Sequence, residues 1–449
     1  MNAEIKGQAV LILGYGREGQ AVHRFLNKNY PELAISIADW HPVTPLFDAA
    51  ALHLGPDYLK HLSHYPTVIR SPGIPAHLPE LVNYRRYHGH LTSGMNLFFA
   101  LCPGQTIGIT GTKGKSTTSS LLAHILSLHF SDVRLVGNIG RPALDDLTGA
   151  SKNTWFVVEL SSHQLEDINY SPQIAVILAI YPEHLDYYPD FKSYIAAKTN
   201  LIRHQDKNDL VIFNPNHAIS ARLAQKSQAK KFKFALKNTP EIACFVLEEK
   251  IWVKTQTKAQ VVVSTNIPLL GQGNLENVLA ATSVAHHLKV PLTKIKAGIT
   301  SFTPLPHRLE FVAEKRGIRF YNDSLATIPE ATIHALKALG EDVTTLIAGG
   351  FDRNLNFTQL AKFLSQSRVQ TLILFPETGS KIWQALDRHS PHHKLRKYEV
   401  ASMAEAVQFA FSHTPKGKIC LMSPAAASFN LFKDYAERGD AFKRLVLEN

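Results

Sequence analysis

The segment GITGTKGKSTT, residues 108–118, carries the ingredients of a phosphate-binding loop. Gly111 and Gly114 let backbone amides approach a phosphate chain closely. Lys115 can neutralise that chain, and the hydroxyl of Ser116 or Thr117 can reach a metal ion. The strict pattern asks for glycine five positions before Gly114, where Ile109 stands, so the loop is a variant, T-G-T-x-G-K-S. A second glycine bend occurs in LILGYGREGQAV, residues 11–22. Gly14, Gly16 and Gly19 have the spacing of a dinucleotide turn, with Asp39 further along as a candidate for a ribose or base edge, or simply a polar strand end. Two phosphate loops in separate α/β units point to two nucleotide substrates rather than one redox cofactor.

Further chemistry-bearing residues fall at strand ends. Glu159 and Ser161 end the apolar run WFVVELSS, and Glu183, His184 and Asp186 end IAVILAIYPEHLD. Ligands of open parallel sheets collect beyond the carboxyl ends of the strands, so these groups are expected to converge on the γ-phosphate near Lys115. A carboxylate with oxygen-rich neighbours suits Mg²⁺, and an imidazole can join it. Lys198, in YIAAKTNLI, reads by itself as a surface lysine of an amphipathic helix. Other histidines, among them His286, His287, His392 and His393, read as solvated or packing residues.

Positioning these groups requires apolar strands alternating with amphipathic helices, and that pattern runs through almost the whole chain. A first block, to about Met95, holds the glycine bend, AISIAD and TVIRSPGIP. A second opens with QTIGITGTKGKSTTSSLLAHILSLH, and residues 244–265 read as a β-hairpin or short meander within it. After FTPLPHRLEFV the pattern restarts with RFYNDS, TTLIAGGFD, TLILF and KICLMSPAA. Pro304–Pro306 is a candidate hinge.

A chain of 449 residues accommodates about three domains. Its 45% hydrophobic and 19% charged residues fit a soluble protein with ample core. The start lacks the features of a signal peptide, and no apolar run is long enough to cross a bilayer, so no membrane partner and a cytoplasmic location are expected. Cys102, Cys244 and Cys420 are too few for a disulfide framework or a four-cysteine zinc site. The net charge of +11 is dispersed, with short clusters such as KSQAKKFKFALK. Without a helix-turn-helix or aromatic–basic pattern, small polyanions are better partners than nucleic acid.

Together with GNIGRPAL, GQGNLENVLAA, IAGGFDR and SPAAASFNLFKDYAERGDAF, these motifs resemble the Mur ligases along the whole chain, most closely the glutamate-adding branch. The resemblance implies an α/β protein of three domains. These are a Rossmann-like UDP-sugar-binding domain (1–96), a central P-loop-type ATPase domain (97–304) and a C-terminal Rossmann-like domain (305–449). It implies ATP-dependent ligation of glutamate to UDP-N-acetylmuramoyl-L-alanine through an acyl phosphate, an early step of peptidoglycan synthesis, by a monomer. The UDP-sugar would lie on Gly14, Tyr15, Gly16, Arg17, Asp39, Trp40, Ser71, Pro72, Gly73 and Asn138. ATP would lie on Gly111, Thr112, Lys113, Gly114, Lys115, Ser116 and Thr117, with Asn274 and Asn277 on the adenine side. Arg308 and Asp323 would bring the third domain onto ATP. Ser116, Glu159, His184 and a carbamylated Lys198 would hold Mg²⁺, with Lys115, His184 and Lys198 catalytic. Leu325, Thr327, Arg353, Ser423 and Phe429 would face glutamate.

Three positions depart from the family pattern. Lys113 stands where asparagine is usual, and His163 where Phe or Tyr is commoner. Leu325, in NDSLAT, replaces the lysine usual in D-glutamate enzymes and removes a cation from a site for a dianionic amino acid. D-glutamate is the family default, and Leu325 raises the alternative of L-glutamate. Rival readings are a folate-type polyglutamate ligase, an NAD(P) oxidoreductase resting on residues 14–39 alone, and a catalytically silent binding protein.

Overall fold

The glycine-ended strand that opens the chain lies in the middle of a parallel sheet. The computed structural model describes residues 4–449 apart from residues 88, 185, 255–257 and 264–266. Strands β1 (Ala9–Leu13), β2 (Ala34–Asp39), β3 (Leu52–Leu54), β4 (Thr67–Arg70) and β5 (His90–Ser93) run parallel in the order β3-β2-β1-β4-β5. The chain leaves β1 to one side and comes back to β4 on the other, so a crevice opens at the carboxyl ends of these two strands.

The second sheet contains β6 (Gln105–Thr110), β7 (Val133–Gly137), β8 (Trp155–Glu159), β9 (Ile174–Ile177), β10 (Leu210–Phe213), β11 (Lys230–Ala235), β12 (Cys244–Leu247), β13 (Lys250–Lys254) and β14 (Lys258–Val263). Their order is β14-β13-β12-β11-β10-β9-β6-β8-β7, parallel from β7 to β12 and antiparallel beyond. The central strands are buried on both faces, which is why they read as continuous apolar runs. The meander read over 244–265 is β12–β14, although residues 255–257 and 264–265 of it, like Leu185 of PEHLD, lie outside the described residues.

The third sheet, β15-β16-β20-β17-β18-β19, comprises β15 (Glu310–Lys315), β16 (Ile318–Asn322), β17 (Val343–Gly350), β18 (Thr371–Glu377), β19 (Arg396–Glu399) and β20 (Ile419–Met422). It is parallel except for β15, which forms an antiparallel hairpin with β16. The alternating pattern did not reveal that hairpin. Its turn uses Arg316 at φ +54° and Gly317 at φ +77°, a pair of left-handed residues that suits a two-residue loop.

Met1–Ile267 with Glu276–Phe302 form one compact unit, and Pro268–Leu275 with Thr303–Asn449 form another. The seam falls beside Pro304–Pro306. No comparable seam follows the first sheet, because one hydrophobic core runs from Val10, Ile12 and Met95 to Phe156, Val158 and Ile177. Ion pairs reinforce this union. Arg70, fully buried at the end of β4, donates to both Asp167 oxygens (2.7 and 2.8 Å), and Arg24 donates to both oxygens of Asp145 (3.1 and 2.7 Å). Among the described residues, no helix is long and apolar enough to cross a membrane.

In the second unit, Asp323 follows β16 and is nearly fully buried. It accepts hydrogen bonds from Ser423 Oγ (2.8 Å) and the Leu309 amide (3.1 Å), and burial pushes its pKa up to about 7.

Two stability measurements follow. Arg70→Met leaves Asp167 buried without its cation and is expected to cost about 3–5 kcal/mol in denaturant unfolding of the first unit; a loss below about 1 kcal/mol would contradict this account. Asp323 binds its proton more tightly folded than unfolded, where its pKa is about 3.9. Its contribution is therefore full at low pH and is lost as pH rises through about 7. In calorimetry, the stability of Asp323→Asn relative to wild type is expected to rise between about pH 4 and 7. A flat difference would count against it.

Candidate functional site

The first glycine bend is built by close packing. Gly14, at φ +88°, accepts a 2.6 Å hydrogen bond from Ser71 Oγ, so the bend and the SPGIP loop are tied across the crevice. A Cβ on Gly19 would lie 2.1 Å from the Gly14 carbonyl oxygen, which makes Gly19 a packing glycine. A Cβ on Gly16 would meet nothing within 4 Å, and the residue precedes the helix Arg17–Asn29, whose first-turn amides no side chain caps.

A cavity of about 480 Å³ opens here. It is lined by nine of the ten residues assigned to the UDP-sugar; Tyr15 is the exception. The Tyr15 side chain is buried, its hydroxyl bonded to His23 Nδ1 (2.6 Å) and accepting from the Leu46 amide (2.9 Å), so only its backbone can serve the bend. Asp39 is more committed than its sequence position implied. Its carboxylate accepts from the Tyr15 amide (2.7 Å) and the His41 amide (2.8 Å), holding two loops in place. Trp40 is exposed and meets Tyr58 edge-on, with ring centroids 6.1 Å apart.

The second bend joins β6 to the helix Lys115–Ser127. Gly114 caps that helix at φ +88°, and a Cβ there would lie 2.2 Å from Asn277 Oδ1. At Gly111 an added Cβ would lie 2.7 Å from the Cβ of Leu178. Thr112 Oγ1 accepts from the Tyr181 amide (2.9 Å) and lies 2.9 Å from the Tyr194 hydroxyl, anchoring the loop to the chain beyond β9. Lys115 Nζ donates to the carbonyls of Gly111 and Thr112, both at 3.0 Å.

Lys198 corrects the surface reading. It lies on the helix Phe191–Thr199, capped by Asp190, and is 1% exposed. An amphipathic pattern alone could not distinguish this buried face from a solvated one. Its Nζ donates to Gly111 O at 2.9 Å, the carbonyl that Lys115 also uses, and lies 4.8 Å from the Tyr194 ring centroid. Burial and the neighbouring Lys115 push its pKa well below the ordinary lysine value, favouring a neutral, nucleophilic amine.

Glu159, at the end of β8, is fully buried. Its Oε1 accepts from Asn138 Nδ2 (2.9 Å) and its Oε2 lies 3.5 Å from Ser119 Oγ. Asn138 thus connects the UDP-side cavity, which it lines, with the phosphate loop's carboxylate. His184 sits at φ +58°, a strained position for a non-glycine residue, with the amides of Tyr187 and Tyr188 closing onto its carbonyl. Burial lowers its pKa despite Glu183 and Asp186, keeping the imidazole lone pair available.

His163 now has a structural role. Its ring packs 4.2 Å from Tyr187 and 4.8 Å from His184, and burial drives its pKa to about 4, so it occupies an aromatic position as a neutral ring. Lys113 pairs with Glu183 Oε1 at 2.5 Å, tying the loop to the residue before His184. Among the described residues, no three His, Cys, Asp or Glu side chains gather closely enough to hold a metal by themselves. The expected convergence is therefore not a protein-only metal cage. Mg²⁺ characteristically keeps waters and shares phosphate oxygens with one or two carboxylates, which a buried Glu159 beside the Ser116-bearing helix turn fits.

Asn277 packs on Gly114, whereas Asn274, on the same helix, belongs to the segment grouped with the second unit. In that unit Arg308 helps hold the Asp323 charge. Arg353 lies 5.3 Å from the ring centroid of the exposed Phe429. Ser423 is fully buried with its hydroxyl given to Asp323, so it faces the protein. Leu325 is half-buried, its amide donating to His307 O (3.1 Å), and its carbonyl accepts from the Thr327 amide.

Comparisons with known proteins bear on the chain's descent and fold. Residues 109–285 match the Mur ligase middle domain, and residues 307–426 match the Mur ligase, glutamate ligase domain. The UDP-N-acetylmuramoylalanine--D-glutamate ligase of Clostridium perfringens is 31% identical over 98% of this chain and 97% of its own length. That of Symbiobacterium thermophilum is 34% identical over 87% and 86%. Among solved structures, MurF from Acinetobacter baumannii superposes with a TM-score of 0.61 at 18% identity, over 99% of this chain and 92% of its own. The UDP-N-acetylmuramate-alanine ligase MurC from Thermotoga maritima gives 0.60 at 16% identity, over 98% and 99%. These two likenesses speak for the fold, and the sequence matches for descent: the chain belongs to the Mur ligase family.

Proposed function

We propose that this protein is an ATP-dependent ligase that joins glutamate to UDP-N-acetylmuramoyl-L-alanine in the cytoplasm, supplying peptidoglycan precursor, and that it acts as a monomer. The names of its curated relatives support this reading. The observation that carries the chemistry is the pair of lysines, Lys115 and Lys198, meeting at the Gly111 carbonyl beside a loop shaped for phosphates. Three functional domains, 1–96, 97–304 and 305–449, would divide the labour among the UDP-sugar, ATP and the amino acid.

A carboxylate is a poor acyl donor. The alanine carboxylate oxygen would therefore attack the γ-phosphorus of ATP, breaking its bond to the β-phosphate bridging oxygen and giving an acyl phosphate and ADP. The glutamate amine would next attack the acyl carbon, lose a proton and expel inorganic phosphate. Phosphoryl transfer depends chiefly on alignment and charge neutralisation. Lys115 and the amides of the Gly111–Thr117 bend would cradle the phosphates, and Asn277 would hold the bend's shape. Asn138 would orient the UDP-sugar while fixing Glu159. Mg²⁺, when bound, supplies further neutralisation of the phosphate oxygens. Ser116, Glu159 and His184 would hold it, together with Lys198 after its neutral amine has added carbon dioxide and released a proton to solvent, leaving an anionic carbamate. Arg308 and Asp323 would meet ATP from the third domain.

D-glutamate is the first reading of the acceptor, in keeping with the relatives' names. A second reading, L-glutamate, is favoured by one observation: Leu325 offers no cation to the acceptor, and Arg353 lies exposed beside Phe429.

Phosphate release from ATP tests this directly, with the UDP-muramoyl substrate and each glutamate enantiomer, in carbon-dioxide-depleted and bicarbonate-containing buffer. Release is expected only when all three substrates are present, with one enantiomer clearly preferred and bicarbonate restoring activity. Turnover without the UDP-sugar, or with neither enantiomer, would overturn the proposal, and indifference to bicarbonate would remove the carbamate.

A further inference from the structure

A buried positive charge is costly unless something compensates it. Arg438 lies in the first turn of the helix Tyr435–Glu448 and is 1% exposed. Its Nε donates to Ser324 Oγ (3.0 Å), Nη2 to the carbonyls of Ser324 (2.9 Å) and Ala426 (3.1 Å), and Nη1 to the carbonyl of Ala427 (3.2 Å). Every one of these acceptors is neutral. Burial alone shifts its pKa, down to about 10, so the guanidinium stays charged at neutral pH with no carboxylate contributing. Arg70, fully buried as well, is by contrast neutralised by Asp167.

The place of this charge matters. Ser324 belongs to NDSLAT, and Ala426 and Ala427 belong to SPAAASF, two of the loops that would face the amino acid. The third, GGFDR, closes on the same point: a Cβ at Gly350 would lie 3.2 Å from Arg438 Nη1, and the Phe351 amide donates to Ala427 O at 2.9 Å. A cation with only neutral partners therefore sits at the junction of three loops, one of which carries leucine where the family usually has lysine.

We infer that Arg438 is the specificity-determining cation of the acceptor pocket, fixing its three loops to one another and selecting, by its uncompensated charge, an acceptor with two carboxylates. This rests on the functional reading above. Arg438 is a positioning residue: its hydrogen bonds go to the loops, and its charge reaches the acceptor through a low-dielectric interior where it is weakly screened. Arg353, exposed on Phe429, is screened by solvent and adds less.

The test measures kcat, thermal midpoint and KM for glutamate, ATP and the UDP-muramoyl substrate. The proteins are the wild type, Arg438→Lys, Arg438→Gln, and Arg438→Gln combined with Leu325→Lys. Arg438→Gln is expected to raise the glutamate KM by at least about tenfold, with the other two KM values within about twofold. Arg438→Lys, which keeps the charge but not the fork, should hold the glutamate KM within about threefold. Adding Leu325→Lys to Arg438→Gln should recover most of the lost affinity. An unchanged glutamate KM in Arg438→Gln would overturn the inference, as would a parallel shift of all three KM values that Leu325→Lys does not repair. Should Arg438→Gln fail to fold, Arg438→Lys decides alone: a retained glutamate KM supports the inference and a rise of about tenfold or more overturns it. A wild type inactive on both glutamate enantiomers would overturn the functional reading and this inference together, whereas an active wild type with indifferent variants overturns the inference alone.

Discussion

The space beside Gly114 is already taken: a methyl group there would fall 2.2 Å from the side-chain oxygen of Asn277. A left-handed residue without a Cβ is the condition for turning β6 into a helix while Asn277 closes over the bend. That geometry turns the amides of the helix's first turn toward the bend and brings the Gly111 carbonyl within reach of both Lys115 and Lys198. The first bend repeats the device with a different partner, Ser71 replacing Asn277 as the group that reaches across. Both bends lie at carboxyl ends of central strands, so the parallel sheets determine where phosphates can be held.

Buried cations are the second recurring element, and they are treated in three ways. Arg70 is neutralised by a bidentate carboxylate and joins the first two sheets through a shared core. Lys198 is fully buried and set close to a second cation, Lys115, which together favour loss of its proton and make it reactive, while a carbonyl and an aromatic ring hold it in place. Arg438 cannot lose its proton at neutral pH, so its charge persists among neutral acceptors. Structure, modification chemistry and acceptor choice thus draw on the same physical problem, solved differently at each site.

Local rules made part of this legible in the sequence. Gly14, Gly111 and Gly114 can be read because a positive φ or a close approach demands glycine wherever the chain then goes. The doubly buried strands Trp155–Glu159 and Ile174–Ile177 can be read because burial on both faces leaves continuous apolar runs. Contacts between distant segments could not be read. The burial of Lys198 depends on how its helix meets the phosphate loop, the Asn138–Glu159 bond joins two strand ends, and Arg438 gathers loops from across the last sheet. Asp39 shows a further limit: its position left a ribose or base contact and a polar strand end both open. Only the fold shows that it lines the cavity while its carboxylate accepts from the amides of Tyr15 and His41. The boundary drawn after the first block has no seam in the folded chain, since the core crosses it without a break, something that only the packing shows.

The account's central claim is that these strand ends activate a substrate carboxylate by transferring the γ-phosphoryl group of ATP to it. The most direct test starts from UDP-N-acetylmuramoyl-L-alanine carrying heavy oxygen in the alanine carboxylate and follows the label through one turnover by mass spectrometry. The claim predicts that one labelled oxygen leaves with inorganic phosphate and the other remains in the new amide. Phosphate free of label, or label recovered in AMP, would contradict it.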